Sequence, residues 1–568
     1  MPRRTILPSL TLAAALVLTP VPSLAVDGTA GAFLAARAAG SANDFVRVVP
    51  YLERLMQSEI AAPELRDSLT GSYLALGRHA DAAAEARLLI EEMPGSSTGA
   101  LTLMAGAFAT RDYAAVLDLV EGGARTHPAA DGLAMAWAHL GQGSMAEVFD
   151  AFDRVAAQEG MLAFTLYCRA LALALVGDVE GAIELIEDPE TGVADALNRR
   201  GVIAHAQILG QLERFDDALE LLAAGFPGVH DPKIEAMRAA YAEGRALPFD
   251  LISDPADGMA EVMAVMAAAM RGGQGSFDAM LYARAAEWIN PDLLDVRLML
   301  GQIFVELEQP ELAGETFGMI PADSGLAIAA AMGRAQVLDN LDRLDEAIAV
   351  LQDLADRYPD VMAAHQGHGD FLRRANRHEE AIAAYTRAIE LMEAQDRGGD
   401  WPLWFARAVS HERAGMWPEA EADFRRALVY EPDQPLVLNY LGYSLVERRE
   451  NLDEALEMIE RAVEGDPDSG YIVDSLAWAL FRLGRYEEAL PHMERAVELM
   501  PSDPILNDHL GDVYWALGRY REARFQWRRA LSFGPHEDLD MDRVRRKLDI
   551  GLYEVLLEEG EPLPHQEE

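Results

Sequence analysis

The 568-residue sequence is short of cysteine, lysine, aromatic residues and positive charge. Its one cysteine, Cys168, cannot close an internal disulfide, so the fold must be held by burial alone. Cys168 lies in "FTLYCRALALAL", an apolar helical pattern with no histidine beside it, and reads as core filler rather than as a nucleophile. Lysine occurs only at Lys233 and Lys547, so nearly all positive charge is arginine. Aromatic residues make up 7% of the chain and β-branched runs are few, whereas Ala, Leu, Arg, Glu and Asp abound; this is helix-forming chemistry and predicts an all-α fold. The 94 acidic residues outnumber 48 basic ones, for a net charge of −46. Such a surface repels phosphate backbones and anionic headgroups, which excludes nucleic acid and simple membrane adsorption.

Long apolar runs are also missing, so no integral membrane span is expected. The N-terminal stretch "MPRRTILPSLTLAAALVLTPVPSLAVDG" has Arg3 and Arg4, then a short proline-interrupted apolar core, then Ser23-Leu24-Ala25 in small-x-small form. This pattern predicts a signal peptide over residues 1–25, cleaved after Ala25, and a periplasmic mature chain. With no cysteine at that point, a lipoprotein anchor is not expected.

What the sequence does contain is a repeat. Leu476 aligns with Leu510, Ala489 with Ala523, Ala496 with Ala530 and Pro501 with Pro535, each pair 34 residues apart. The alanine of the recurring "EA" signature continues through Ala455, Ala420, Ala381, Ala347, Ala313 and Ala279, then more loosely through Ala218, Ala182, Ala146, Ala115 and Ala82. A period of this length means a stacked array of helix pairs, none of which can bury its apolar stripe alone.

In the last repeat, Leu506, Leu510, Val513 and Leu517 form that stripe, and Gly511 and Ala523 are small where two helices must approach. Gly518 suits a left-handed helix end, and Pro535 stops the second helix. Leu510, Gly511, Tyr514, Ala523, Trp527, Ala530 and Pro535 resemble the signature of the tetratricopeptide repeat (TPR). The resemblance implies an α-solenoid of antiparallel helix pairs wound as a right-handed superhelix. It makes Tyr514 and Trp527 packing positions. The expected organisation is a signal peptide (1–25), a degenerate array (26–227), an irregular linker or hinge (228–258), a regular array (259–535), a C-terminal capping helix (536–560) and a disordered tail (561–568). The linker is read from the turn-rich "GFPGVHDP" and "EGRALPFDLISDPADG".

Templates for catalysis are absent: there is no G-x-S-x-G elbow, phosphate loop, H-E-x-x-H or dinucleotide fingerprint. His365, His368 and Asp370 are the nearest approach to a metal set, but the repeat register turns both histidines toward the partner helix. Asp508, His509 and Asp512 mimic an acid–base cluster, yet neighbouring helix residues point in different directions. The expectation is a non-enzyme with no cofactor, metal or catalytic residue.

The TPR resemblance further implies a concave face lined by the first helix of each repeat. Carried onto this chain, its positions are Leu436, Asn439, Tyr443 and Val446, then Tyr471, Asp474, Trp478 and Phe481, then Ile505, Asp508, Asp512 and Trp515. Asn439, Asp474 and Asp508 replace the basic clamp with which some relatives hold a carboxylate, so a protein partner with a basic or apolar segment fits better. Trp478 and Trp515 are read as anchors in this groove, with packing as the alternative. A separate cluster, Arg519, Arg521, Arg524, Arg528, Arg529, Arg543, Arg545, Arg546 and Lys547, opposes the overall charge.

The last two repeats also resemble envelope TPR lipoproteins that hold a carboxyl-terminal processing protease beside its substrates, though the lipid-acceptor cysteine is missing. The expected function is an exported scaffold or adaptor that presents clients to an envelope protease or assembly machine. The alternatives are an accessory subunit of an outer-membrane biogenesis or polysaccharide-export complex, or an enzyme with a site outside the known templates.

Overall fold

Each repeat turns on one backbone residue of positive φ. Such residues recur as Gly77, Arg111, Gly143, Gly177 and Glu213, then as Glu308, Asp342, Asn376, Gly415, Arg449, Gly484 and Gly518. Each ends one helix and lets the next run back antiparallel. Where the position is glycine the left-handed conformation is cheap, as at Gly518 (φ +73°). A buried small residue follows five positions later, as Ala82 follows Gly77 and Ala523 follows Gly518, except after Arg449, where a second left-handed residue, Asn451, intervenes and Ala455 comes six positions on.

This register corrects two alanines of the sequence alignment. Five residues after Arg111 and Gly143 stand Val116 and Val148, both buried, whereas Ala115 is half-buried and Ala146 exposed. Valine has taken the small-residue position in those two repeats, which hid their true phase.

The computed structural model describes residues 28–227, 231–394, 399, 401–536 and 539–560. The expected signal peptide and disordered tail lie outside them. The described residues form thirty-one α-helices and two short 3-10 turns, and no strand. None of the helices is long and apolar enough to cross a membrane. The fold is therefore all-α, a solenoid of paired helices. It divides into two compact units between Arg343 and Leu344, inside the stretch that the sequence presents as one regular array.

In the first unit, the first helices of five successive repeats are Pro63–Ala75, Ser97–Ala109, Pro128–Gln142, Leu162–Leu175 and Arg199–Gln211. The 228–258 stretch that follows contains a helix, Pro232–Ala242. Beyond it an extended run is held where Asp250 accepts from Gln207 at 2.6 Å and Lys233 at 2.7 Å. The chain then turns back. Pro255–Met270 packs on Pro128–Gln142, Leu162–Leu175 and Ser97–Ala109, and Ser276–Ile289 packs on Ser97–Ala109 and Pro63–Ala75. These two helices thus lie across the first helices of the array, on the side where the TPR resemblance implies a groove.

Pro255–Met270 is buried almost all round, by Met259, Val262, Met263, Met266 and its alanines, as a helix enclosed on every side must be. Gly258 allows the closest approach, because a Cβ there would enter the Trp137 indole. Polar clamps fix the register. Arg200 Nε donates to Glu261 at 2.6 Å, Arg111 pairs with Asp254 at 2.9 Å, and Arg284 Nε donates to the Ala75 carbonyl at 3.0 Å. Trp288 stacks on His79 with centroids 4.6 Å apart. Cys168 is buried in this unit, and burial pushes its thiol up.

In the second unit, the first helices are Met362–Arg374, Trp401–Arg413, Pro435–Arg448, Gly470–Arg482 and Pro504–Ala516. Successive first helices touch: three of the four pairs pack directly, and Trp401–Arg413 meets Pro435–Arg448 through its side chains, where Ser444 Oγ donates to Glu412 at 3.1 Å and Phe405 lies 5.1 Å from Tyr440. The last repeat packs as its sequence predicts: Leu506, Leu510 and Val513 are buried, and Gly511 leaves room for the Trp527 ring. The expected single capping helix is two helices, Met541–Ile550 and Leu552–Glu559, broken at Gly551 with φ +91°. A Cβ at Gly551 would meet Trp515, so close packing and backbone conformation both call for glycine.

Candidate protein-binding face

The first helices of the second unit carry the sequence-predicted groove residues, and the structure sorts them into a filled end and an open stretch. At the end, Lys547 from Met541–Ile550 is fully buried and donates to Asp508 and Asp512, each at 2.7 Å. Asp512 also accepts from Trp527 Nε1 at 2.9 Å. Burial pushes the Asp512 carboxyl up, and Lys547 opposes that. The expectation that Asp508 and Asp512 face an open groove is therefore corrected. The chain's own lysine occupies them, because two carboxylates this deep need a counter-charge.

Trp515 is half-buried as well, with its centroid 5.3 Å from Trp527 and 4.5 Å from Tyr520. It packs against the Gly551 turn, so the packing alternative holds for it. Ile505, at the other end of the same helix, is half-buried.

One repeat back, Asp474 is buried and faces His509 Nδ1 at 3.0 Å. Burial pulls the His509 imidazole down, but the Asp474 charge and hydrogen bond, with Asp508 and Asp512 behind, raise it above its ordinary value. His509 stacks on Trp478 with centroids 4.0 Å apart, and Phe481 also stacks on Trp478, at 4.9 Å. The Trp478 indole N–H donates to Glu447 at 2.9 Å. Trp478 is thus half-buried and fully oriented, and Phe481 is buried behind it. Asn439 is buried with no partner for Oδ1 among the described residues, and Val446 is buried too.

The open stretch is smaller than the sequence suggests. Tyr471 is 55% exposed, Leu436 is exposed, and Tyr443 is half-buried. Burial pushes the Tyr443 phenol up, and the carboxylates of Glu447, Asp474 and Glu412 act in the same direction against Arg482. That effect marks three acidic groups around one tyrosine. Glu412 also accepts from Ser444 Oγ at 3.1 Å. Glu412 and Glu447 were missed by the sequence reading. Glu412 holds the last groove position of the preceding repeat, to which the register was not extended, and Glu447 lies one residue past Val446.

The remaining candidates for chemistry do not converge. His365 Nε2 lies 3.0 Å from the Pro359 carbonyl, Asp370 accepts from Tyr385 at 2.7 Å, and His368 is buried, which lowers its imidazole. No group of three metal-ligating side chains occurs among the described residues. Of the arginine cluster, Arg519, Arg543, Arg545 and Arg546 pair with Glu522, Glu559, Asp542 and Glu558. Arg529 donates to the Pro501 carbonyl.

A left-handed turn, a small residue five positions on and an aromatic packed over a glycine, repeated at about 34 residues, are what a known family shares. Residues 370–533 match the tetratricopeptide-repeat family. A second tetratricopeptide-repeat profile matches residues 332–398. A TPR repeat-containing protein of Pseudomonas aeruginosa, PA4667, is 28% identical over 157 residues, covering 28% of this chain and 26% of that protein. The match thus spans about a quarter of that relative's length. Among solved structures, the APC/C hetero-tetramer Cut9–Hcn1 is 14% identical with a TM-score of 0.36, covering 93% of this chain and 97% of that chain. Yeast Tom70 is 12% identical with a TM-score of 0.34, covering 94% and 96%. A TPR protein of Parabacteroides merdae is 15% identical with a TM-score of 0.37, covering 45% and 98%. The family match thus covers residues 332–533, of a protein type suited to binding other proteins, and over the rest of the chain the paired-helix solenoid rests on its own repeat geometry.

Proposed function

We propose that this chain is an exported TPR scaffold that binds protein segments on the open stretch of its second unit. One observation carries the reading: Tyr443 and Trp478 stand among Glu412, Glu447 and Asp474, and the exposed Tyr471 lies on the same helix as Trp478, its hydroxyl 3.4 Å from Asp503. Aromatic side chains anchor a partner by area, and carboxylates select for lysine or arginine within it. The Lys547 ammonium between Asp508 and Asp512 supports that preference, since this face already takes a lysine from a helix of the chain itself. The first unit contributes less, because its own helices cover the first helices of its repeats. Export rests on the Arg3–Ala25 pattern, and presentation of clients to an envelope protease or assembly machine is the specific role that the C-terminal repeats suggest.

The test is capture from envelope extract on tagged mature chain beginning at Val26. Wild type is compared with a Glu412→Gln, Glu447→Gln, Tyr471→Ala variant of equal helicity by circular dichroism. A protein retained by wild type and lost by the variant supports the reading. Equal retention sinks it. N-terminal sequencing of the expressed full chain checks export separately, with Val26 as the expected first residue.

A further inference from the structure

The arginine cluster near the C-terminus leaves a remainder after its internal pairs are removed. Arg521, Arg524 and Arg528 are all exposed on Tyr520–Phe533, at the three- and four-residue spacing that puts them on one side of a helix. Phe525 lies among them and is 59% exposed. No carboxylate lies within ion-pair distance of Arg521 or Arg528 among the described residues. Glu522, whose carboxyl Arg521 helps to lower, is already bonded to Arg519 at 3.1 Å. Among the described residues, Arg524 reaches the Trp515 ring, 5.6 Å from its centroid, and no carboxylate.

In a chain of net charge −46, three arginines that form no ion pair among the described residues, around an exposed phenylalanine, are a local reversal of sign. We infer that this face of Tyr520–Phe533 docks an acidic, amphipathic protein segment, separately from the basic partner of the acidic groove. The arginines span two helical turns, about 10 Å, which matches carboxylates spaced three, four or seven residues apart on a facing helix. Phe525 asks for an apolar residue between them. A long polyanion fits worse: outside one Debye length of about 8 Å, the surrounding carboxylates repel it.

The test uses the full mature chain and a fluorescein-labelled helical peptide with three glutamates at that spacing around a leucine. Wild type binds it by fluorescence anisotropy at low salt, more weakly as salt rises, and does not bind the glutamine counterpart. The Arg521→Glu, Arg528→Glu variant binds at least tenfold more weakly, Phe525→Ala is also weakened, and Arg521→Lys, Arg528→Lys restores most of the affinity. These surface changes leave circular dichroism unchanged, so loss of fold is distinguishable from loss of docking. Binding that is equal in wild type and the Glu variant overturns the inference. So does equal binding of the glutamine peptide, or tighter binding of phosphatidylglycerol vesicles or duplex DNA through the same arginines. Stronger peptide binding by a chain ending at Gly560 reassigns the face to the chain's own acidic tail, and likewise overturns it.

Discussion

Removing the Lys547 ammonium strands two carboxylates. Asp508 and Asp512 are 5% and 1% exposed, and Lys547, which bonds both, is 0% exposed. Breaking a buried ion pair by deleting one partner costs about 3–5 kcal/mol, because the remaining charge is left uncompensated. Arg543, itself raised by Asp512 and Asp508 once burial is overcome, stands near enough to hold the figure toward the lower end. Lys547→Ala therefore weakens the attachment of Met541–Glu559 by about 3 kcal/mol at pH 7–8, which is about a hundredfold faster amide exchange at 1.4 kcal/mol per factor of ten. The Asp512 carboxyl is already pushed up, so it takes up a proton more readily in the folded state, and the deficit shrinks toward pH 5. Hydrogen exchange with mass spectrometry, read on peptides from 504–516 and 541–559, measures this. A charge-free triad, Lys547→Met with Asp508→Asn and Asp512→Asn, recovers most of the protection, since replacing all members of a buried ion cluster is near neutral. Exchange in Lys547→Ala within threefold of wild type refutes the reasoning, as does a triple variant no better than the single one.

Gly258→Val drives a side chain into the Trp137 indole and costs about 1–3 kcal/mol of overpacking, visible as a lower melting midpoint of the first unit. His509 has a folded-state pKa above its ordinary one, so its pairing with Asp474 stabilises fully below pH about 6.5 and is lost as pH rises through the raised value. The stability gap between wild type and His509→Asn in urea accordingly narrows as pH rises, and a gap that widens contradicts the assignment. Cys168, buried and with its thiol pushed up, reacts with a thiol reagent at pH 8 only as the first unit unfolds; stoichiometric labelling of the folded chain within seconds refutes this.

The repeat itself was legible because its markers are local. A left-handed turn, a small residue five positions later and an aromatic facing a glycine all lie within one helix pair, as at Gly518, Ala523, Gly511 and Trp527. Where valine replaced the small residue, at Val116 and Val148, the phase slipped although the fold did not. Ser276–Ile289 misled for the opposite reason: Ala279 matched the repeat alanine, and nothing local distinguishes a helix in the array from one laid across it. The site was half legible. Register placed Asn439, Tyr443, Asp474 and Trp478 on one face, but the identity of the cation opposite Asp508 and Asp512 depends on a contact 39 residues away. Lys547 looked like one more member of a basic run, and periodicity carries no information about which member turns inward.

Helical arrays of this kind ordinarily behave as one-dimensional stacks, each unit stabilised by its neighbours and tolerant of truncation. The first unit has lost that property. Arg284 reaches back 209 residues to Ala75, and Arg111 reaches forward 178 residues to Ile289. Some two hundred residues of repeats precede, along the chain, the helices that complete their interior. The repeats of this half are therefore expected to melt together rather than one by one, and a chain cut after residue 227 leaves their first helices without the two helices that cover them.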